Sequence, residues 1–213
     1  MSISKETMLL YGVTDRGNLH GKTLLQQVEE SLKGGVTLVQ LREKHLSFQE
    51  FLEEAKEMKE LCHKYGVPLL INDNVEICIE SGADGVHVGQ KDMEAEAVRE
   101  KLGKDKIIGV SARTVEQARA AQNAGADYLG VGAVFSTSTK EDAKPLDHEI
   151  LKAITKAVDI PVVAIGGISS ENVLELKGTG IDGVAVVSAI YGKENPKEAA
   201  ENLKALVSEV VKG

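Results

Sequence analysis

Short apolar runs alternate with segments of helical periodicity along the whole chain. Each run is four to six residues long, which is typical of strands buried on both faces of a parallel sheet. The predicted strands are 9–14, 38–42, 69–72, 85–88, 107–111, 128–132, 162–165 and 183–187. The predicted helices are 22–33, 47–65, a short one ending at Gly82, 93–102, 114–125, 147–158, one from Ser170, and a last one with Pro196 in its first turn.

A repeat of four glycines supports this alternation. Gly35, Gly82, Gly125 and Gly180 each end a helix just before a strand, and they are spaced 47, 43 and 55 residues apart. Each interval holds two strand–helix units, so four double units give the eight strands of a (β/α)₈ or TIM barrel. An open doubly wound sheet more often has about five or six strands. We therefore expect an α/β chain whose residues 1–213 form one barrel domain, with its active site at the carboxyl ends of the strands.

Composition limits the function classes. At 213 residues the chain is long enough for one such barrel. No apolar stretch reaches the length of a membrane span and the amino terminus has no signal-peptide pattern, so a cytoplasmic protein without membrane contact is expected. Cys62 and Cys78 lack the spacing of a zinc site or redox motif, which suits a reducing compartment. The formal charge of -8, the absence of Trp, and only three Phe and four Tyr argue against a nucleic-acid surface.

Carboxylates follow two neighbouring predicted strands. Asn72 and Asp73 come at the end of the third strand, and Asp92 follows the fourth. Because neighbouring parallel strands end at the same edge of a sheet, the two carboxylates face a common space. Mg²⁺ is usually held by one or two protein carboxylates, with substrate phosphates and water as the other ligands. The competing interpretation for each residue is a helix N-cap, which is a common role for Asp and Asn before a helix.

Three long polar side chains end the second predicted strand. Gln40, Arg42 and Lys44 share one face because side chains alternate along a strand, while Glu43 takes the other face. Arg suits forked contacts to phosphate and Lys acts as a point charge, so this face fits an anionic ligand. The alternative is a solvated strand end at which these cations pair with Glu43.

The fifth and sixth strands are followed by hydroxyl side chains. Ser111 either binds a ligand through its hydroxyl or caps the next helix. The segment 133–146 is long for a loop in a compact domain. It is either a lid over a phosphorylated substrate or a hydrophilic surface flap. Its candidate side chains are Thr137, Ser138, Thr139 and Lys140.

Glycines after the seventh strand give the strongest prediction of a binding site. Gly166 and Gly167 let backbone N–H groups approach a ligand, and Val187-Ser188-Ala189 opens a short turn after the eighth strand. These two loops often bind phosphate in such barrels. With cations and carboxylates on the opposite side, we expect two phosphorylated ligands, one a monophosphate and one more highly charged, such as a diphosphate.

The sequence shows no arrangement of a catalytic nucleophile. Neither a Ser-His-Asp nor a Cys-His set is visible, and His87 is expected to be a hydrogen-bonded interior residue. The two sides of the mouth instead suggest displacement of diphosphate, in which a metal and cations stabilise the leaving group.

Seven motifs, in order along nearly the whole chain, resemble those of the thiamine-phosphate synthase family: QLREK, Asn72-Asp73, HVGQKD, GVSART, TSTK, IGGI and VVSAIYG. The resemblance implies a Mg²⁺-dependent barrel enzyme that joins 4-amino-2-methyl-5-(diphosphooxymethyl)pyrimidine to 4-methyl-5-(2-phosphoethyl)thiazole. The products are thiamine phosphate and diphosphate. The implied mechanism is dissociative: diphosphate departs first, and the thiazole nitrogen captures the pyrimidine-methyl cation without a general base.

The resemblance also implies a set of site residues. The pyrimidine diphosphate would be bound by Gln40, Arg42, Lys44, Asn72, Ser111 and Lys140. Mg²⁺ would be bound by Asp73 and Asp92. The thiazole phosphate would be bound by Thr137, Ser138, Thr139, Gly167, Val187 and Ser188. Arg42, Lys44 and Lys140 would stabilise the leaving group.

Two positions depart from the family pattern. Arg113 stands where the family commonly has His, and Ser136 stands where Pro often precedes the threonines. The related thiazole tautomerases resemble this fold but use a His at the first position and lack the metal carboxylates, so a tautomerase is the alternative function. A non-catalytic binding barrel is a third hypothesis. The sequence leaves the oligomeric state open, a homo-oligomer included.

Overall fold

A computed structural model describes residues 3–90, 92, 94–136 and 145–212. Each strand pairs in parallel with the next along the chain and the last pairs with the first, so the sheet is a closed barrel. The strands are β1 Leu10–Val13, β2 Leu38–Leu41, β3 Leu69–Asn72, β4 Gly85–Val88, β5 Ile107–Ala112, β6 Tyr128–Gly132, β7 Val162–Ile165 and β8 Gly183–Val186. The predicted (β/α)₈ barrel is confirmed, and every strand boundary lies within one residue of its prediction.

Helices connect the strands and cover the outside of the barrel. They are α1 Lys5–Met8, α2 Leu24–Lys33, α3 Phe48–Lys64, α4 Val75–Ser81, α5 Ala95–Leu102, α6 Val115–Asn123, α7 His148–Ala157, a 3₁₀ helix Val173–Leu176, α8 Ser188–Tyr191 and α9 Pro196–Val210. The sequence pattern does not predict α1, and it indicates only a turn where α8 lies. The α-helix predicted from Ser170 is replaced by the 3₁₀ helix.

The seventh connection is short for a local reason. Val173 and Leu176 are its buried side chains, and they lie three residues apart, which matches the repeat of a 3₁₀ helix. Gly178 then turns the chain with a φ of 75°. Because no longer apolar stripe is present, this segment does not extend into an α-helix.

Capping side chains fix where the long helices begin. Ser47 begins α3 with the complete capping box that the sequence predicts. The Ser47 hydroxyl accepts a hydrogen bond from the Glu50 amide, and the Glu50 carboxylate accepts one from the Ser47 amide. Thr23 and Gln26 form a second complete box at α2. Pro196 occupies the first turn of α9, as predicted.

The four-glycine repeat marks the return from helix to strand. Its glycines have φ angles of 94°, 69°, 89° and 80°. Two residues after each glycine, a polar side chain accepts a hydrogen bond from an amide at the start of the preceding strand. The pairs are Thr37 with Leu10 at 2.9 Å, Asp84 with Leu69 at 2.8 Å, Asp127 with Ile108 at 2.7 Å, and Asp182 with Val162 at 2.9 Å. The repeat therefore ties neighbouring strands together at the amino end of the barrel.

Two apolar layers form the core. The larger layer lies between the strands and the helices. The smaller layer fills the barrel interior and consists of Met8, Tyr11, Val13, Leu38, Leu70, Tyr128, Val163 and Ala185. Within the described ranges, no helix combines the length and apolar character needed to cross a membrane.

Both cysteines belong to the outer layer. Cys62 and Cys78 are free and buried. Burial raises the pKa of the Cys62 thiol to about 12 and that of Cys78 to about 11. The thiols are therefore protonated at neutral pH and are weak nucleophiles, in line with the absence of a cysteine motif.

Candidate active site

The carboxyl ends of the strands form one mouth of the barrel. Because all strands run in the same direction, the residues that follow them lie on one rim. The predicted site residues in the described part of the chain are Gln40, Arg42, Lys44, Asn72, Asp73, Asp92, Ser111, Gly167, Val187 and Ser188, and all of them lie at or just beyond these strand ends. Thr137, Ser138, Thr139 and Lys140 lie outside the described residues.

Glu43 does not pair with its neighbouring cations at the end of β2. Its carboxylate accepts a hydrogen bond from Arg16 Nε at 2.8 Å, and the same guanidinium bonds Glu54 on α3. The Glu43 side chain is only 4% exposed. Burial and the Glu54 carboxylate raise the pKa of Glu43, while Arg16 opposes this shift. Arg16 therefore holds Glu43 away from the mouth.

Arg42 and Lys44 remain as cations of the mouth. The Arg42 amide donates to Thr14 Oγ1 at 3.0 Å, which fixes the backbone where β2 ends. Its guanidinium lies 3.8 Å from Asp15, a distance at the limit of an ion pair. Lys44 is exposed and makes no ion pair within the described part of the chain. The face that alternation predicts is therefore cationic and has little internal neutralisation.

Asp73 does not cap the helix that follows it. Asn74 is the N-cap of α4, and its side chain accepts from the Ile77 amide at 2.9 Å. Asp73 is exposed and has a φ of 61°, a left-handed conformation that is uncommon outside glycine and that Asp and Asn adopt more readily than most residues. Its amide donates to the His87 carbonyl at 2.9 Å, which continues the β3–β4 pairing past the end of the strand. An exposed carboxylate held in this conformation at a strand end is a candidate for a functional position.

Asp92 is also free of a capping role. The N-cap of α5 is Glu94, and its side chain makes no capping bond. Asp92 Oδ2 instead accepts from the Gly89 amide at 2.7 Å, so the carboxylate folds back over the turn that follows β4. A Cβ on Gly89 would lie 2.8 Å from that oxygen, so a larger residue at position 89 would displace the Asp92 carboxylate.

The two aspartates follow directly paired strands, since Asn72 of β3 lies opposite His87 of β4. Among the described residues, no group of three or more His, Cys, Asp or Glu side chains is placed to hold a metal ion. Within the described ranges, a cation here would therefore need ligands other than protein side chains beside these two carboxylates. Two carboxylates completed by phosphate oxygens and water are the usual donor set for Mg²⁺, and the residues present fit that ion.

A chain of hydrogen bonds crosses the barrel interior below the mouth. Gln40 Nε2 donates to the Tyr11 hydroxyl, which lies 2.9 Å from the Tyr128 hydroxyl. Tyr128 lies 2.8 Å from His87 Nδ1, and His87 Nε2 lies 3.0 Å from Ser111 Oγ. His87 is therefore the hydrogen-bonded interior residue that the sequence predicts, and Ser111 does not cap α6, which Thr114 caps. Burial raises the pKa of both tyrosines.

Sequence reasoning does not find Tyr11 or Tyr128. The available signal is the period of two along each strand, which puts Tyr11 on the same face as Val13 and Tyr128 on the same face as Gly130. Both faces point into the barrel, where an apolar residue is the ordinary expectation.

Backbone groups dominate the opposite side of the mouth. Gly166 and Gly167 follow β7 with φ angles of 100° and 68°. Asn172 holds this loop, because its Nδ2 donates to the Gly167 carbonyl at 2.9 Å and its Oδ1 accepts from the Ser169 amide at 2.8 Å. Asn172 is a second residue that sequence reasoning misses. On the next strand, Val187 precedes α8, whose first turn starts at Ser188.

The loop after β6 packs against these glycines. The Val134 amide donates to the Ile165 carbonyl and the Phe135 amide donates to the Gly166 carbonyl, each at 3.0 Å. Arg113 Nη1 donates to the Gly132 carbonyl at 2.9 Å, so this guanidinium supports the end of β6. The first residues of the predicted lid are therefore anchored to the glycine side of the mouth.

Comparison with known proteins gives consistent relatives. A family model described as thiamine monophosphate synthase matches residues 10–190. A thiamine-phosphate synthase from Clostridium tetani is 54% identical over 200 residues, which are 94% of this chain and 96% of that protein. One from Methanobrevibacter smithii is 54% identical over 194 residues, which are 91% of this chain and 92% of that protein.

Comparison with solved structures finds the same kind of protein as comparison with sequences. A thiamine phosphate pyrophosphorylase from Pyrococcus furiosus has a TM-score of 0.89 and 39% identity, and the match covers 97% of this chain and 98% of that one. A 3-hexulose-6-phosphate synthase matches with a TM-score of 0.71 and 19% identity over 93% of this chain and 99% of that one. The second likeness shows the barrel fold alone.

Proposed function

Because the chain belongs to the thiamine monophosphate synthase family, we propose that its barrel mouth joins a pyrimidine-methyl diphosphate to a thiazole ethyl phosphate in a Mg²⁺-dependent, dissociative reaction. The chain is an enzyme of thiamine phosphate synthesis, a transferase on a TIM barrel, as the sequence motifs predict. The proposal concerns which residues do the work and how.

One observation carries the proposal: the mouth is divided into two halves of different chemistry. Side chains with full charges, Arg42, Lys44, Asp73 and Asp92, follow β2 to β4. Glycine backbone and the first turn of α8 follow β7 and β8. A diphosphate needs cations and a metal, whereas a monophosphate is well bound by backbone amides, so each half suits one substrate.

Asp73 and Asp92 are the residues that would hold Mg²⁺, with diphosphate oxygens and water completing its shell. The bound metal would supply positive charge to the departing diphosphate. The position of Asp73 directly after β3 and the separate cap at Asn74 support this role, because helix capping at α4 is done by Asn74 and does not explain an aspartate at position 73.

The reaction breaks the bond between the pyrimidine-methyl carbon and the diphosphate oxygen, and the electron pair leaves with diphosphate. Arg42 and Lys44 stabilise the charge that grows on that oxygen, and Lys140 joins them in this proposal. Gln40, Asn72 and Ser111 hold the pyrimidine ring. The thiazole nitrogen then donates its lone pair to the carbon and forms the new carbon–nitrogen bond. No proton moves in this step, so the absence of a catalytic base is consistent with it.

The thiazole phosphate is placed by the other half of the mouth. Gly167, Val187 and Ser188 offer backbone amides at the β7 and β8 loops, and Thr137, Ser138 and Thr139 complete the proposed phosphate site. Orienting the thiazole nitrogen toward the pyrimidine-methyl carbon is the main task of this half, since positioning supplies a large share of rate in a two-substrate reaction. The proposed location is the cytoplasm, where the free thiols of Cys62 and Cys78 would persist.

A tautomerase is less well supported. That chemistry needs a proton acceptor, and Arg113 cannot serve because a guanidinium stays protonated in proteins. Its bond to the Gly132 carbonyl gives it a structural task instead.

The test measures thiamine phosphate formation from both substrates with Mg²⁺. Turnover should stop on addition of EDTA, and Asp73→Asn and Asp92→Asn should each lower it by about 100-fold or more, since each removes a charged ligand of the metal. Asp105→Asn is the matched control, because Asp105 is an exposed aspartate on the loop before β5, at the other end of the barrel. Full turnover in EDTA, or equal effects of all three substitutions, would refute the metal assignment.

A further inference from the structure

The direction of the interior hydrogen-bond chain follows from its first donor. The amide nitrogen Nε2 of Gln40 can only donate hydrogen bonds, so it donates to the Tyr11 hydroxyl. The distances alone give no direction to the next two bonds, but Tyr11 already accepts from Gln40, so its single proton is left for Tyr128, and the proton of Tyr128 is then left for His87 Nδ1. Nδ1 acts as an acceptor, so the neutral imidazole carries its proton on Nε2 and donates it to Ser111 Oγ. The hydroxyl proton of Ser111 is not used within this network of hydrogen bonds, so Ser111 can donate it to a ligand.

Glycines on β5 and β6 leave the space that the side chains of this hydrogen-bond network occupy. A Cβ on Gly109 would lie 2.1 Å from Tyr128 Cζ, and a Cβ on Gly130 would lie 3.0 Å from His87 Cε1. Both tyrosines are at most 1% exposed, and burial keeps their hydroxyls protonated by raising the pKa. Packing alone would be met by phenylalanine, so the hydroxyls require a separate explanation.

We propose that Tyr11, Tyr128 and His87 are positioning residues that set the hydrogen-bonding polarity of the pyrimidine site. The bond to Tyr11 uses one N–H of Gln40 Nε2 and so fixes which way the amide is turned, with Oε1 left as an acceptor, while the hydrogen-bond network makes Ser111 a donor. The pair then fits a heterocycle that presents an amino group and a ring-nitrogen lone pair. An oxo-pyrimidine, which presents an acceptor and a ring N–H, has the opposite polarity. The inference rests on the proposed function, in which Gln40 and Ser111 bind the pyrimidine.

The first experiment uses ¹⁵N-histidine NMR on the ligand-free protein without metal or substrate, at mildly alkaline pH so that the imidazole is neutral. The ring-nitrogen shifts separate a protonated from an unprotonated nitrogen, and His87→Gln assigns the signals. We expect His87 to carry its proton on Nε2 in the wild type. A proton on Nδ1 in the wild type would overturn the proposal.

Reversing the first donor should reverse the whole chain. Gln40→Glu replaces the donor by an acceptor, so Tyr11 must donate to it, Tyr128 to Tyr11, and His87 Nδ1 to Tyr128. We therefore expect Nδ1 to become protonated. Adding Tyr11→Phe breaks the relay but keeps the carboxylate, and it should return Nδ1 to the acceptor state. If Nδ1 stays unprotonated in Gln40→Glu, or stays protonated in the double variant, the relay is refuted.

Tyr191→Phe is the matched control for the loss of a buried hydroxyl. Tyr191 is 1% exposed, and its hydroxyl forms a hydrogen bond with Ser31 Oγ at 3.1 Å that is not part of the interior network. In the Gln40→Glu background it should leave Nδ1 protonated. If Tyr191→Phe returned Nδ1 to the unprotonated state as fully as Tyr11→Phe does, the cause would be general loosening of the barrel, and the proposal would be overturned.

The second experiment measures kinetics with amino- and oxo-pyrimidine diphosphates. Tyr128→Phe should lower kcat/KM for the amino substrate about 3- to 10-fold, the effect of one neutral hydrogen bond, while KM for the thiazole phosphate stays unchanged. The preference for the amino over the oxo substrate should fall with it, and Tyr191→Phe should alter neither. An unchanged preference in Tyr128→Phe would overturn the specificity role. Failure of the wild type to form thiamine phosphate would overturn the proposed function, a result distinct from any NMR outcome.

Discussion

Replacing Gly167 by Ala tests the phosphate cradle without changing a charge. The φ of 68° at this position costs a residue with a Cβ about 1–2 kcal/mol. The added Cβ would lie 2.3 Å from the Ser136 carbonyl oxygen and 2.8 Å from Phe135 Cβ, far inside van der Waals contact. Because backbone atoms block the new methyl, the loop after β6 must shift, and overpacking of this kind adds about 1–3 kcal/mol.

Gly66→Ala is the matched control. Gly66 has the same φ of 68°, but a Cβ there would meet nothing within 4 Å. It lies between α3 and β3, at the amino end of the barrel. This substitution should therefore cost only the backbone strain, and the melting temperature should fall by about 2–8 °C with activity unchanged. Gly167→Ala should destabilise the protein more, because strain and crowding add.

The decisive assay varies the thiazole phosphate at saturating pyrimidine diphosphate. If Gly167 donates its amide to the phosphate, the shifted loop loses a charge-assisted hydrogen bond of about 1.5–3 kcal/mol. The value of kcat/KM for the thiazole phosphate should then fall about 10- to 150-fold, while KM for the pyrimidine diphosphate stays within about twofold. A variant that loses stability as calculated but keeps its KM for the thiazole phosphate would refute the placement of that substrate.

Two further predictions concern residues that hold the mouth in place. Asn172→Ala removes two hydrogen bonds from the Gly167 loop, so KM for the thiazole phosphate should rise about 3- to 10-fold, as measured by steady-state kinetics; an effect on the pyrimidine diphosphate alone would contradict this. Arg16→Met leaves Glu43 beside Glu54 without their shared cation. Since the folded-state pKa of Glu43 is raised, its contribution to stability is present below the ordinary value of 4.5 and is lost as the pH rises through the folded value. The variant should therefore lose more stability at about pH 7.5 than at about pH 5, by roughly 1–2 kcal/mol after screening of the partly exposed Arg16, as measured by urea unfolding at both values. A loss that is larger at the lower pH would contradict the sign.

The barrel is predictable from sequence because two signals agree. Continuous apolar runs indicate strands buried on both faces, and the glycine repeat counts them in pairs. The repeat also carries information that the pattern does not reveal, since Asp84, Asp127 and Asp182 look like ordinary turn residues. Only the folded structure shows that their carboxylates accept hydrogen bonds from backbone amides of the neighbouring strand. The helix predicted from Ser170 is wrong in type, because its two buried side chains, Val173 and Leu176, are too few to separate a 3₁₀ helix from an α-helix by their spacing.

The rim of the site is predictable for the same reason that the fold is. Once the strands are placed, everything that follows a strand must lie at one end of the barrel. The interior chain is different, because Tyr11 and Tyr128 sit at positions where apolar packing is the ordinary expectation. Their hydroxyls meet across 117 positions of sequence, and no local pattern encodes that contact.

The two halves of the mouth should therefore respond to mutation in opposite ways. On the charged half, Asp73 and Asp92 are exposed side chains, and helix capping is delegated to Asn74 at α4. Removing a charge there should lower activity by about 100-fold or more with a smaller loss of stability, about 0.5–1.5 kcal/mol where the carboxylate accepts an amide hydrogen bond, as Asp92 does from Gly89. On the glycine half, the proposed groups of Gly167, Val187 and Ser188 belong to the backbone, so truncating a side chain at these positions does not remove them. At Gly167 function is lost by adding atoms, and the same atoms must destabilise the packed loops. A large loss of activity with a small loss of stability on one side, and a large loss of both at Gly167 on the other, is what a side-chain metal site facing a backbone phosphate site requires.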